Sequence, residues 1–460
     1  MFEKWIEDNR AAFIEDTKQL LRIRSVKELP SSPERPFGDG PAAALDYMLN
    51  LGRRYGFETS SIGGFAGHIE WGTGDQYVAV LAHLDVVPEG TDWTYPPYGA
   101  HMENGRIYAR GAIDDKGPAM AALYAMRALA AQSNPLTHRV RLILGLDEES
   151  GWRCMDEYFA KEPQPVCGFT PDASFPIIFA EKGIMDFSLT ISKGIQGSGW
   201  RLKELIGGER PNMVPDRCTA IIETSPHFAS DLCVVWQNRM ESFCSNTDIQ
   251  VRSESELKVT IRGVSAHGSR PQSGENAVVR MYSFLKNVGQ ANESDWINLL
   301  SEFRTDGGDL GIACKDEVTG ALTCNLGMVS LQDHQQQIVC NVRYPIDRNA
   351  SDLVRQVSDS VKKLGVSVTL LDDKRPLHVS KDDPLIQTLA RAYEDVTGNP
   401  ATLLTIGGGT YARAIDKGVA FGAQFPGQPD LAHQCDEYVV VDNLIKCIEI
   451  YSRALHELAK

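Results

Sequence analysis

Gln76-Tyr-Val-Ala-Val-Leu-Ala-His83-Leu-Asp85 decides the fold class. Six consecutive apolar residues, 77–82, form a run with no polar side. That is the pattern of a strand buried on both faces, as in a parallel sheet covered by helices. The run ends in a histidine and an aspartate. A second run, Arg139-Val-Arg-Leu-Ile-Leu-Gly-Leu146, ends in Asp147-Glu148-Glu149-Ser150-Gly151. Between them, Asp114-Asp115-Lys116-Gly117-Pro118 opens the apolar stretch 119–131, which reads as a helix with proline in its first turn. Strand, helix and strand, with ionisable residues at the strand ends, match an open α/β sheet that binds its ligands along that edge.

Working outward, residues 2–23 and 40–55 read as amphipathic helices. After about residue 186 the texture changes. A strand is expected at 259–264, a helix at 274–288, a strand pair at 321–331 and 335–344, a helix at 351–364 and a strand at 366–371. That order is the ferredoxin-like split βαβ unit. The segment 187–255 is Gly-rich and weakly periodic, and is expected to add a second subdomain that bridges to the catalytic domain. The α/β texture returns at Asp383-Pro384-Leu385, passes Gly407-Gly408-Gly409 and closes with a helix at 443–458. At 460 residues the chain exceeds the size of one usual core. The expected architecture is an α/β catalytic domain from 1–186 and 383–460, with a mixed, mostly parallel sheet flanked by helices. An α+β lid domain, 187–382, is inserted into it and contains the split βαβ unit.

An apolar fraction of 42% and a charged fraction of 23% are those of an ordinary soluble globular protein. A net charge of −15 argues against nucleic-acid and anionic-membrane partners, while leaving small anionic substrates open. The N-terminal Met1-Phe-Glu-Lys-Trp-Ile-Glu-Asp-Asn-Arg10 has no apolar signal-peptide core, and no stretch reaches membrane-spanning length. The ten cysteines include no Cys-x-x-Cys pair and favour free buried thiols over disulfides. The expected compartment is the cytoplasm.

Taken singly, the ionisable groups have bland readings. His83 with Asp85 is a histidine steadied by a carboxylate, Asp114-Asp115 is a helix N-cap pair, and Glu148-Glu149 and Asp172 are turn residues. Taken together, one imidazole, a series of carboxylates and a second imidazole at His433 form a ligand set for two divalent metals. Hard oxygens and imidazoles suit Zn²⁺, Mn²⁺ or Co²⁺ rather than a thiolate-bound structural zinc. Two such ions point to a hydrolase. Asp85 suits the free ring nitrogen of His83. Of two adjacent glutamates, one can bind metal while the other serves as general base.

The chain resembles the dinuclear metallopeptidase family of aminoacylases and carnosinases, and within it the bacterial PepV (Xaa-His dipeptidase) branch. The likeness runs over essentially the whole chain. It rests on His83-Leu-Asp85-Val-Val-Pro88, Gly105-Arg-Ile-Tyr-Ala-Arg-Gly111, Asp114-Asp-Lys-Gly-Pro118, Glu148-Glu-Ser-Gly-Trp152, Pro171-Asp172 and Glu181-Lys-Gly183. It continues through Gly263-Val-Ser-Ala-His267-Gly, Asn341-Val-Arg343-Tyr-Pro345, Ile406-Gly-Gly-Gly-Thr-Tyr-Ala-Arg413 and His433-Gln-Cys-Asp-Glu437. The resemblance implies that His83 and Asp172 hold one metal, Glu149 and His433 the other, and Asp114, rather than Asp115, bridges them. It makes Glu148 the base and Asp85 the partner of His83. In the inserted domain it makes His267 the oxyanion donor, and Arg343 the clamp for a substrate carboxylate. Asn212 and the Gly408-Gly409 turn are implied as further donors to that carboxylate. Cys435 stands where another residue is more usual in the family.

The expected function is therefore a metal-dependent dipeptidase with two divalent ions per chain, Zn²⁺ first and Mn²⁺ or Co²⁺ as alternatives. It would hydrolyse dipeptides with a free C-terminal carboxylate through a metal-bridged water activated by Glu148. The alternatives are an N-acyl amino acid deacylase or desuccinylase of the same superfamily, and a non-catalytic binding protein on the same fold. The only expected partner is a small peptide, and a monomer is expected because the long insertion leaves room for His267 to serve its own chain.

Overall fold

The computed structural model describes residues 2–132, 136–240, 246–292, 295–332 and 335–460. They divide into two compact units: Met1–Ala180 with Leu377–Thr405 and Gly409–Lys460, and Glu181–Pro376 with Ile406–Gly408. The breaks after Ala180 and Pro376 fall six residues before those drawn from the texture of the sequence, and Ile406–Gly408, read there with the catalytic domain, groups with the second unit. No helix among the described residues is long and apolar enough to cross a membrane.

In the first unit, Tyr77–His83 forms a strand whose seven residues are all buried. It runs parallel to Arg139–Gly145 on one side and to Cys167–Thr170 on the other. Cys167–Thr170 is in turn parallel to Gly418–Ala420. The mostly parallel character thus belongs to these four central strands. Ala66–Trp71 and Glu58–Ile62 extend the sheet antiparallel at one edge, and Ile177–Glu181 pairs antiparallel beyond Gly418–Ala420. The helix Lys116–Ala130 is buried along nearly its whole length and packs against Val441–Leu458 and Glu3–Leu21. Such all-round apolarity is what a helix between a sheet and further helices requires. Asp115 occupies its N-cap position, but the side chain makes no capping bond. The first-turn proline, Pro118, costs the helix nothing because that N–H has no intrahelical partner.

The second unit is a nine-stranded sheet in which every registered pair is antiparallel. One face carries the core, with Trp236, Trp200 and Phe284 in edge-to-face contact at 5.4 Å. The helices Ala277–Asn287 and Ala350–Val361 begin at Asn276 and Asn349, whose side chains accept N–H groups of their first turns. The split βαβ unit is present, but its membership differs from the sequence reading. Its strand order is Val366–Lys374, Gly183–Ile191, Gln335–Tyr344, Thr323–Gln332. The first strand is therefore Gly183–Ile191, at the very start of the insertion. Glu256–Arg262, read from sequence as that first strand, lies between Arg217–Thr224 and Thr247–Ser253 at the far end of the same sheet. The described part of the segment 187–255 also joins this one sheet, through Trp200–Gly207, Arg217–Thr224 and Thr247–Ser253. It forms no separate bridging subdomain. Alternation reveals that a strand is half-buried but not which strand lies beside it.

Candidate metal centre

The C-terminal edge of the central strands gathers the ionisable groups. His83 is the last residue of its strand, Glu148 follows Arg139–Gly145 by three residues, and Asp172 follows Cys167–Thr170 by two. Asp114 stands just before the helix Lys116–Ala130, and His433 comes from the loop ahead of Tyr438–Val440.

Asp114 divides its carboxylate between the two histidines. Its Oδ1 lies 2.9 Å from His83 Nε2, and its Oδ2 lies 3.0 Å from His433 Nε2. His83 Nε2 is also 3.6 Å from Asp172 Oδ2, and His433 Nε2 is 3.0 Å from Glu149 Oε1. His83, Asp114 and Glu149 offer ligand atoms within 4.8 Å of one another, as do His83, Glu148 and Asp172. Asp115 is fully buried and turned away from this set, its Oδ2 accepting the backbone N–H of His83 at 3.1 Å.

The donor set fits divalent cations. His83 Nε2 and Asp114 Oδ1 are buried and close together, yet neither has a hydrogen-bond partner. Lone pairs left unmatched in a buried site call for a positive centre. The electrostatics agree. Burial pushes the Glu148 carboxyl well above its usual range, His83 works against the rise, and Asp172, Glu149 and Asp114 add to it. Burial and the Asp114 charge likewise raise Asp172 and Glu149. Burial alone would depress His83, but the neighbouring carboxylates of Asp114, Asp172 and Asp85 outweigh it and hold the imidazole well above its usual value. Carboxylates in such mutual conflict are relieved by bound dications.

Asp85 does more than steady His83. The imidazole Nδ1 lies 3.0 Å from the Asp85 backbone carbonyl, and at 3.5 Å the carboxylate is the more distant neighbour. The carboxylate instead accepts the backbone N–H groups of Glu148 and Glu149, each at 3.1 Å. One buried aspartate thus fixes a metal-facing imidazole and the two glutamates together. Asp147, unassigned from the sequence, shapes the same turn. It accepts the N–H groups of Gly151 at 3.3 Å and Arg153 at 3.2 Å, and Lys27 Nζ donates to it at 2.6 Å.

Glu437 and Arg110 also support the site, although their residue types and spacing do not single them out in the sequence. Fully buried Glu437 accepts the N–H groups of Gly111, Ile113 and Asp114 at 3.2, 3.0 and 3.3 Å. Arg110 Nη1 donates to it at 2.7 Å, and Nη2 reaches the His433 carbonyl at 3.3 Å. This clip ties the loop of Asp114 to that of His433, where His433 and Asp436 take left-handed φ values of 67° and 53°. Both clip residues stand inside motifs of the sequence, but nothing local announces that positions 110 and 437 meet. Among the described residues the nine cysteines are free, seven of them buried, and Cys435 is exposed two positions from His433.

In the second unit, Met213 bridges His267, and Gly268 N–H donates to the Asn212 carbonyl at 2.7 Å. Asn212 and His267 thus lie on paired loops. Arg343 is buried on Gln335–Tyr344, with Nη1 donating to the Gly407 carbonyl at 3.0 Å. The Gly407–Gly409 turn leads only into the four-residue 3₁₀ helix Tyr411–Ala414. Any donor role of Gly408 and Gly409 therefore rests on single N–H groups rather than on a long helix dipole.

The family described as Peptidase family M20/M25/M40 matches residues 79–457. A Bacillus subtilis (strain 168) protein named "Putative dipeptidase YtjP" is 42% identical over 455 residues, 97% of each chain. A Staphylococcus epidermidis (strain ATCC 12228 / FDA PCI 1200) protein named "Putative dipeptidase" is 36% identical over 470 residues, 100% of this chain and 99% of that one. Human carnosine dipeptidase 1 shares the fold with a TM-score of 0.59 at 15% identity, over 100% of this chain and 98% of that one. The aminoacylhistidine dipeptidase of Vibrio alginolyticus does so at 0.57 and 14%, over 96% of each chain. With the charge-crowded edge of its sheet, the molecule is an enzyme of the metallopeptidase class. The chain belongs to peptidase family M20/M25/M40.

Asp85→Asn retains the shape but presents an amide N–H₂ to one of the two backbone N–H groups it now accepts. Metal affinity is expected to fall about 10- to 100-fold, the usual effect of disturbing groups that orient ligands. Competition with a chromophoric chelator measures it, and unchanged affinity would remove Asp85 from this role.

Proposed function

We propose that the chain is a metal-dependent dipeptidase that cleaves dipeptides with a free C-terminal carboxylate. The observation that carries this reading is the Asp114 carboxylate shared between His83 and His433, with Asp172 and Glu149 beside them. His83 and Asp172 would hold one divalent ion, Glu149 and His433 a second, and Asp114 both. Zn²⁺ is the first expectation, with Mn²⁺ and Co²⁺ as alternatives. When bound, such ions supply Lewis acidity that polarises a carbonyl and acidifies water.

Glu148 takes the proton of the attacking water as its oxygen bonds to the carbonyl carbon. It returns that proton to the amine nitrogen as the C–N bond breaks. Burial, the first cause of the rise in the Glu148 pKa, does not depend on the neighbouring charges and suits this two-way traffic. His267 donates to the oxygen that becomes negative. Ser269 N–H donates to His267 Nδ1 at 3.2 Å, and the Ser269 hydroxyl lies 2.7 Å from the same nitrogen. Nδ1 is therefore the acceptor and Nε2 carries the hydrogen. Burial, then Arg343 and Arg270, lower the His267 pKa and keep the ring neutral. Arg343 receives the substrate carboxylate with its planar fork, assisted by Asn212 and the Gly408-Gly409 turn. The free buried thiols support action in the reducing cytoplasm.

Glu148→Gln is expected to retain two ions per chain while lowering kcat by at least about 10²–10⁴. Kinetics paired with metal analysis of the same sample checks this, and near-native turnover with full metal would end the assignment. We also propose that the enzyme works as a monomer. Mixtures of His267→Ala and Glu148→Gln proteins should then stay inactive, whereas recovered dipeptide hydrolysis would place His267 in a partner's site.

A further inference from the structure

The second unit holds a row of polar side chains that the proposed reaction does not use. Its sheet has one face in the apolar core, through Met185, Phe187, Cys324, Leu326, Cys340 and Val342. The residues between them point to the other face. Asp186 pairs with Asn341 in register, and Asn341 pairs with Asn325 on the next strand. Three adjacent strands therefore place three polar groups in line on the face opposite the core.

Each is committed to a defined task. Asn341, 2% exposed, donates its Nδ2 to Asp186 Oδ1 at 2.5 Å and accepts Arg343 Nε at 2.9 Å. The Asp186 acceptor fixes which way the Asn341 amide faces, because only its oxygen can take the guanidinium N–H. The fork of Arg343 is then held at Nε by Asn341 and at Nη1 by the Gly407 carbonyl, 3.0 Å away. Asn325, 1% exposed, donates both hydrogens of its Nδ2, to the carbonyls of Pro211 and Met213 at 2.8 Å each. It thereby grips the residues on either side of Asn212. The same loop pairs with that of His267 through the Met213–His267 bridge and the bond from Val214 N–H to the Ala266 carbonyl at 2.8 Å. Gly327 makes this grip possible. It sits at a register shift in its strand, and a Cβ there would stand 2.2 Å from the Pro211 carbonyl oxygen.

Resting on the roles proposed above for Arg343 and His267, we propose that Asp186, Asn341 and Asn325 are positioning residues. Together they register the carboxylate clamp and the oxyanion donor against one another across a single sheet. Asp186 and Asn341 set the clamp, and Asn325 sets the Asn212–His267 loop pair. The distance between a substrate's carboxylate and its scissile carbonyl would then be read by a rigid sheet rather than by two independent loops. Such a ruler selects cleavage one residue before the free carboxylate, the only peptide bond a dipeptide has.

The test uses the metal-loaded full chain and two substrates, a dipeptide and its C-terminally amidated form. Asn341→Leu should raise KM for the free-carboxylate dipeptide about 10- to 100-fold, the worth of a hydrogen bond to a charged group, and leave kcat and the amidated substrate unaffected. Asn325→Leu should instead lower kcat about 10-fold on both substrates at unchanged KM, since it acts on the oxyanion donor. Asn341→Asp alone sets two carboxylates face to face. Asp186→Asn with Asn341→Asp reverses donor and acceptor while still accepting Arg343 Nε, and should restore KM even if Asn341→Leu folds poorly. Arg343→Ala separates this proposal from the reading beneath it. If Arg343→Ala penalises both substrates equally, the clamp falls and the row falls with it. If Arg343→Ala is carboxylate-selective but both asparagine variants lose kcat and KM alike, and the reversed pair restores nothing, the row is structural only and the proposal is overturned.

Discussion

Like charges brought together out of water govern this molecule. Asp114, Glu148, Glu149 and Asp172 meet at one sheet edge, with His83 and His433 among them. Two unit charges about 4 Å apart repel by about 4 kcal/mol at an effective dielectric of about 20, so the arrangement stands only if protons or cations share the site. The raised pKa values of Glu148, Glu149 and Asp172 express that conflict. Much of the first unit holds these groups in place. A sheet strand ends at His83, Asp85 spans to the glutamate turn, Asp147 shapes that turn, and Glu437 with Arg110 clips the last ligand loop to the first.

How far the sequence reveals this depends on how locally each feature is encoded. Strand Tyr77–His83 and helix Lys116–Ala130 were legible because a run without a polar side has few other uses. His83, Glu149 and Asp172 are legible because they stand where such runs stop, and Asp114 because it stands where one opens. His433 follows no such run and became a candidate only as part of the whole set. Asp85 was singled out for His83, whereas its carboxylate serves two backbone N–H groups, which no side-chain pattern advertises. Glu437, Arg110 and Asp147 act through contacts with loops that sequence does not place.

In the second unit the limit is more specific. Its strands are legible, but the hydrophobic pattern puts Glu256–Arg262 in the place that belongs to Gly183–Ile191. Both are alternating strands that would bury an apolar face equally well, but only Glu256–Arg262 is followed directly by a helical segment, Ala277–Asn287, whereas Gly183–Ile191 leads into further strands. What tells their places apart is the polar face. Asp186 has Asn341 opposite it, and Asn341 has Asn325, so the side chains that would have identified the neighbours are the ones a hydrophobic pattern ignores.

The central claim is that the crowded edge is a site for two divalent ions on which peptide hydrolysis depends. Calorimetric titration of chelator-treated protein with Zn²⁺, Mn²⁺ and Co²⁺, alongside dipeptide hydrolysis at each addition, tests it most directly. The account predicts two ions per chain, activity absent before addition and rising with occupancy, and a melting temperature that climbs with free metal because only the folded chain assembles the ligands. Hydrolysis by the metal-free protein, or saturation without ions bound at His83 and His433, would contradict it.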